Sequence, residues 1–155
     1  MEEKEELKVS KIAEGTVIDH IRAGRAPLVL KILGIEAGFP DSVIVAMNVR
    51  STRYGKKDIV KVEGQFLDEE KINKIALISP QATINIIRSY KVVKKDQVEL
   101  PKRLVGIVKC PNRNCITNSP EGVETIFHTE ASAGGPRLRC HYCEESVELA
   151  EVELL

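Results

Sequence analysis

The chain has 155 residues and a mass of 17.2 kDa, room for one medium domain or two small ones. Its 43% hydrophobic and 30% charged residues exclude a disordered or collagen-like chain. With 23 basic and 23 acidic residues and no Trp, neither capture of long nucleic acid nor attraction to an anionic membrane is expected. No uncharged run approaches the roughly 20 apolar residues of a membrane-spanning helix. Met1-Glu-Glu-Lys-Glu-Glu does not begin a secretory signal. The cytoplasm is therefore the expected location, and in that reducing compartment four Cys are expected as metal ligands rather than disulfides.

Thr16-Val-Ile-Asp-His-Ile21, behind Gly15, is β-branched and predicts a strand. Arg25–Ile35 predicts a helix, with Pro27 in its first turn and Leu28, Ile32 and Ile35 at helical spacing. The near-continuous apolar run Ser42–Val49 predicts a second strand, either central with both faces covered or with one face against a partner. Gly55 provides a turn into a third strand, Asp58–Glu63, so the pair forms a hairpin. Leu67–Ile78 predicts a helix capped by Asp68 and ended by Pro80, with Ile72, Ile75 and Ala76 on its apolar side. Ala82–Ile87 and Tyr90–Val93 predict one bent edge strand or two short ones.

The order strand, helix, strand, strand, helix, strand predicts an α+β domain of ferredoxin-like type. That is a four-stranded antiparallel sheet with two helices on one face. Its bare face and apolar strands make dimerisation through this domain an economical solution. The polar segment around Pro101 marks the boundary, giving domains 1–100 and 101–155. The first carries 17 basic and 15 acidic residues, the second 6 and 8. In the second, strands are expected over Arg103–Lys109, Glu124–Thr129 and Ser146–Leu154, with a turn at Gly134-Gly135-Pro136, making a small all-β domain.

All four cysteines lie in this last third: Cys110-Pro-Asn-Arg-Asn-Cys115, 24 intervening residues, then Cys140-His-Tyr-Cys143. Four thiolates suit one tetrahedral Zn²⁺ with no open position, a structural site. A domain of this size buries too little apolar surface to hold itself, and the metal meets that need. A four-sulfur iron site and unligated core cysteines are the alternatives. His141 lies inside the second knuckle but is not needed as a ligand. The three histidines, His20, His128 and His141, assemble no Ser/His/Asp triad, and no phosphate-loop or zinc-protease pattern occurs. Lys56, Lys57 and Lys61 bracket the third strand and Lys91, Lys94 and Lys95 follow the last. Ammonium groups converging with the His20 imidazole and Asp19 could hold a polyphosphate. A solvated basic edge that blocks strand association is the alternative.

Gly15–Ile21, Gly55–Glu63, Ser79-Pro-Gln-Ala-Thr-Ile-Asn85 and Cys110–Cys115 with Cys140–Cys143, in this order, resemble the aspartate carbamoyltransferase regulatory chain. The resemblance runs from about residue 8 to the end. It implies a non-catalytic regulatory subunit of aspartate carbamoyltransferase, controlling pyrimidine biosynthesis allosterically. The N-terminal domain would bind CTP or ATP, with UTP alongside CTP in some members. The zinc domain would contact the catalytic chain, and the chains would pair through their N-terminal domains. Carried onto this sequence, Lys95, His20 and the segment Val9–Lys11 approach the triphosphate, and Asp19 and Lys61 the ribose or neighbouring groups. Ile12 and Tyr90–Val92 offer backbone groups to the base, with Asn85 beside it and Ile87 as an apolar wall. Asn112, Arg113, Asn114 and Glu144 fall at the catalytic-chain interface, and Leu100-Pro101 at a hinge. The alternative function is a free-standing zinc-ribbon module binding nucleic acid or protein, disfavoured for nucleic acid by the neutral charge and absent Trp.

Overall fold

A computed structural model describes residues 12–53 and 55–155, which fall into two compact units, 1–99 and 100–155. Val9 and Lys11 lie outside the described residues. Unit 1 contains β1 (Gly15–Arg22), α1 (Ala26–Ile32), β2 (Val43–Ser51), β3 (Gly55–Glu63), α2 (Glu69–Ile78), β4 (Thr83–Arg88) and β5 (Lys91–Gln97). The strands form one antiparallel sheet in the order β2-β3-β1-β4-β5. The first four give the expected ferredoxin-like α+β arrangement.

The fifth strand is the second of the two arrangements open for residues 82–93. Ser89 and Tyr90 both take positive φ, 50° and 64°. They form a two-residue turn between Arg88 and Lys91, and such a turn folds the chain back as a hairpin rather than bending one strand. β5 is exposed along its whole length.

β2 differs from the central position its apolar run suggested. It is an edge strand, with Val45 and Met47 exposed at 39% and 44%. The other reading, one face against a partner, is compatible with that edge position. α1 also differs: it buries Ala26 and Val29, whereas Leu28 is exposed. Its start carries no side-chain cap of its own. Instead the buried Asp58 of β3 accepts the Ala26 amide at 3.0 Å and that of Gly24 at 2.9 Å. α2 begins as expected, the Asp68 carboxylate accepting from the Lys71 amide at 2.9 Å. Its last turn is buried all round through Ile75, Ala76, Leu77 and Ile78, which pack with Ile18, Ile21, Val60, Val62 and Ile84 beneath the helices.

Unit 2 is a four-stranded antiparallel sheet, β6 (Arg103–Val105), β7 (Ile126–Glu130), β8 (Arg137–Cys140) and β9 (Ser146–Glu148), in sequence order. β8 was not anticipated. Only Leu138 and Cys140 of its four residues point inward, too short an alternation to distinguish from the turn before it. The expected strand to Leu154 is β9, a single 3₁₀ turn over Leu149–Glu151, and an isolated bridge from Leu154 back to Val108. Leu104, Val108, Phe127 and Leu138 are the core. Among the described residues no helix is long and apolar enough to cross a membrane.

Candidate functional site

Of the residues assigned by resemblance to nucleotide binding, Asp19, Lys61, Asn85 and Lys95 lie on the sheet face away from the helices. Cross-strand register places Ile44, Lys61, Val17, Asn85 and Lys95 in one row across all five strands. In a pleated sheet such partners share a face. Their sequence neighbours Ile18, Val60 and Ile84 point the other way into the core. Asp19 and Thr83 belong to the next row of the same face.

β1 carries a bulge there: the register steps from Ile18 opposite Val60 to Ile21 opposite Asp58, so Asp19 and His20 together oppose Ile59. His20 takes φ 55°. A bulge lets two consecutive side chains serve one face, which regular alternation forbids. Asp19 Oδ1 lies 3.0 Å from Lys57 Nζ and accepts the His20 amide at 2.6 Å. His20 Nδ1 lies 3.1 Å from Thr83 Oγ1. Burial is the main influence on the imidazole and lowers its pKa below 6.5; Asp19 opposes this, and Lys57, Arg53 and Lys95 add to it. His20 therefore favours the neutral form at pH 7, with one carboxylate and three cations acting on it in opposite directions. An anion with several oxygens would offset the cations and favour protonation of the ring.

Asn85 is buried and spends one amide hydrogen on the Val17 carbonyl at 3.2 Å. Ile87 is buried, paired with Gly15 on one side and Val92 on the other. Ile12 is buried where the described chain begins. Tyr90 is exposed at the β4–β5 turn, but its amide is already given to the Ala13 carbonyl at 3.0 Å. Val92 is exposed. Lys94, grouped with Lys95 in the sequence, alternates to the opposite face and pairs with Asp96 at 3.3 Å.

Three contributors escaped the residue-by-residue assignment: Lys57, Arg53 and Thr83. Lys57 and Thr83 were legible in principle, sharing strand parity with Lys61 and Asn85. Arg53 sits beyond the end of β2, where parity carries no signal.

In unit 2 the four cysteine sulfurs lie within 4.8 Å of one another. Cys110 and Cys143 Sγ are 3.6 Å apart and Cys115 and Cys140 Sγ 3.8 Å. Tetrahedral zinc with bonds of about 2.3 Å would place its sulfurs about 3.8 Å apart. The cluster is thus positioned to coordinate one metal ion and fits structural Zn²⁺, with no ligand position left open. The first loop is built on amides: Asn118 Nδ2 donates to the carbonyls of Cys110 and Asn112, at 3.0 and 2.7 Å. Asn112 Oδ1 accepts the Asn114 amide at 3.0 Å. The second loop turns through Glu144 at φ 63°, whose amide returns to the Cys140 carbonyl at 3.0 Å. Burial pushes the Cys110 and Cys140 thiols up. At Cys115 burial also acts upward, but donors from Thr117 and the neighbouring thiols outweigh it and hold the thiol down at about 7.

Asn112 is half-buried, while Arg113, Asn114 and Glu144 are exposed around the metal loops. His141 is not in the sulfur shell; its Nδ1 faces His128 Nε2 at 2.9 Å.

Residues 7–99 match the family model described as Aspartate carbamoyltransferase regulatory chain, allosteric domain. Residues 102–153 match the one described as Aspartate carbamoyltransferase regulatory chain, metal binding domain. The Aspartate carbamoyltransferase regulatory chain of Pyrococcus horikoshii is 56% identical over 148 residues, 95% of this chain and 96% of that relative. That of Archaeoglobus fulgidus is 54% identical over 144 residues, covering 92% and 94%. That of Korarchaeum cryptofilum is 55% identical over 143 residues, covering 92% and 90%.

Proposed function

The chain belongs to the family of aspartate carbamoyltransferase regulatory chains, and from that premise we propose that it is the non-catalytic regulatory subunit of aspartate carbamoyltransferase, binding nucleotides in residues 1–100 and docking on the catalytic chain through residues 101–155. Matches that span both units speak against a free-standing zinc module.

The observation that carries the nucleotide reading is the convergence of Asp19, His20, Lys57, Lys61 and Lys95 on the sheet face opposite the buried Ile18, Val60 and Ile84. The cations and imidazole hold the triphosphate of CTP or ATP, and of UTP where it binds with CTP. Val9 and Lys11 approach the same phosphates, Asp19 and Lys61 the ribose end. Ile12, the Tyr90 carbonyl, Val92 and Asn85 read the base edge against the Ile87 wall. Lysines read charge and backbone groups read the amino or keto pattern, so affinity and selectivity come from different parts of one site.

Asn112, Arg113, Asn114 and Glu144 present the metal-rigidified loops to the catalytic chain. Val45 and Met47 on the edge strand β2 support pairing of two regulatory chains through the N-terminal domain. The assembly works in the cytoplasm.

Reconstitution tests the proposal. The zinc-loaded chain is mixed with aspartate carbamoyltransferase catalytic trimers, and aspartate saturation is recorded with and without CTP, ATP and UTP. The expected result is a nucleotide-dependent shift of the curve, with no turnover by the chain alone. An unchanged curve with every nucleotide would refute it.

A further inference from the structure

β3 runs straight through the point where both of its neighbours bulge. In β1, Asp19 and His20 together oppose Ile59. In β2, the register steps from Ala46 opposite Ile59 to Val49 opposite Lys57, so Met47 and Asn48 together oppose Asp58. Each bulge holds a residue other than glycine at positive φ, His20 at 55° and Asn48 at 59°. Such conformations persist only where the surroundings determine them.

At Asn48 and in the segment that follows β1, the determining group is the Asp58 side chain. The residue is fully buried and its carboxylate meets three backbone amides. Oδ1 accepts from Asn48 at 2.9 Å, inside the β2 bulge. Oδ2 accepts from Gly24 at 2.9 Å and Ala26 at 3.0 Å, fixing the chain as it leaves β1. A buried carboxylate is tolerable only when so satisfied, and it in turn prevents the amides from moving. Its neighbour in sequence, Lys57, points to the opposite face and reaches Asp19.

We infer that Asp58 is a positioning residue of the nucleotide site: its buried carboxylate holds the β2 bulge at Asn48 and the segment that leaves β1 at Gly24 and Ala26, and so keeps β3 in place while Lys57 meets Asp19, beside His20, on the opposite face for a nucleoside triphosphate. It touches no ligand itself. Without the β1 bulge, Asp19 and His20 could not both serve this face. The inference rests on the nucleotide-binding reading above.

The test uses the full zinc-loaded chain, wild type and Asp58→Asn, which keeps the shape but turns an amide NH₂ toward backbone donors. Three quantities are measured: CTP and ATP affinity by calorimetry, the thermal midpoint, and the His20 ring titration by NMR. A folded Asp58→Asn chain is expected to lose about tenfold in affinity, the scale for groups that orient binding residues from behind. Its His20 titration is expected to move up toward 6.5 as the ring leaves its buried position. Wild-type binding with a folded variant that binds within about twofold and titrates unchanged overturns the positioning role but leaves the site standing. A wild-type chain that binds neither nucleotide overturns the site reading itself.

If Asp58→Asn does not fold, Asn48→Val tests the same device from its exposed side, because a β-branched residue resists the left-handed conformation. A loss of about threefold or more is expected. Wild-type affinity in that variant overturns the inference.

Discussion

Removing the metal should unfold one unit and leave the other standing. Unit 2 buries six apolar side chains outside its cysteines: Leu104, Ile107, Val108, Phe127, Leu138 and Val147. At about 1.5–3 kcal/mol each they contribute roughly 9–18 kcal/mol before any ordering cost. Structural zinc in small domains contributes on the order of 10–16 kcal/mol, comparable to that whole core and above the net stability of about 5–15 kcal/mol typical of a domain. The sulfurs already stand at tetrahedral spacing, so little of this is spent on rearrangement. Without the ion, four buried or half-buried sulfurs face one another with only weak thiol contacts. Chelation, or Cys115→Ser, should therefore abolish the dispersed NMR signals of Phe127 and Leu138 while those of Ile18, Val60 and Ile75 in unit 1 persist. Binding to catalytic trimers should be lost in the same step. If Phe127 and Leu138 signals stay dispersed in a sample verified as metal-free, the accounting is wrong and the apolar core suffices.

Lys95→Ala should weaken CTP and ATP by about 1.5–3 kcal/mol, the scale of a charge-assisted hydrogen bond, without changing the thermal midpoint, since β5 is exposed throughout; calorimetry and thermal melting read the two effects separately. Because burial lowers the His20 pKa below its ordinary 6.5, the unfolded chain binds more protons there. His20 should thus make stability fall as pH drops through 6.5 toward the lowered value, then level off, an effect that His20→Gln removes from melting curves. Triphosphate binding should run oppositely, strengthening over the same interval with proton uptake measurable in buffers of different ionisation enthalpy. Gly15→Ala should cost about 3 kcal/mol or more in denaturant titration, because Gly15 lies at φ 144° and an added Cβ would fall 2.2 Å from the Val62 carbonyl oxygen.

Much of this architecture is local enough to read along the chain. The β-branched run before Asp19, the Asp68 cap and the paired cysteines each announce themselves within a few residues. What escaped reading depends on partners distant in sequence. The apolar run of β2 looks central because composition reports burial without saying by whom; an edge strand that meets another chain carries the same residues. α1 shows the wrong apolar face because its orientation is set from β3, and Leu28 lies outward at the same spacing that made it look buried. The cysteine set could be enumerated exhaustively from spacing, whereas the nucleotide residues came through family resemblance. The reason is physical: two bulges shift parity by one residue, and no strand pattern reveals a bulge before its neighbours are known. His20 shows the effect: regular alternation would turn it to the face opposite Asp19, and the extra residue in β1 brings the two to one side.

The seven-residue helix α1 has a temporal consequence. Its first amide is closed by a carboxylate 32 positions downstream, and nothing nearer in the chain does that work. So short a segment is not helical alone in water. Residues 26–32 are therefore expected to take up their helix only once the β2–β3 hairpin delivers Asp58. The earliest element of this layer to be synthesised becomes one of the later ones to set, and a fragment ending at residue 40 should show no helical signal there.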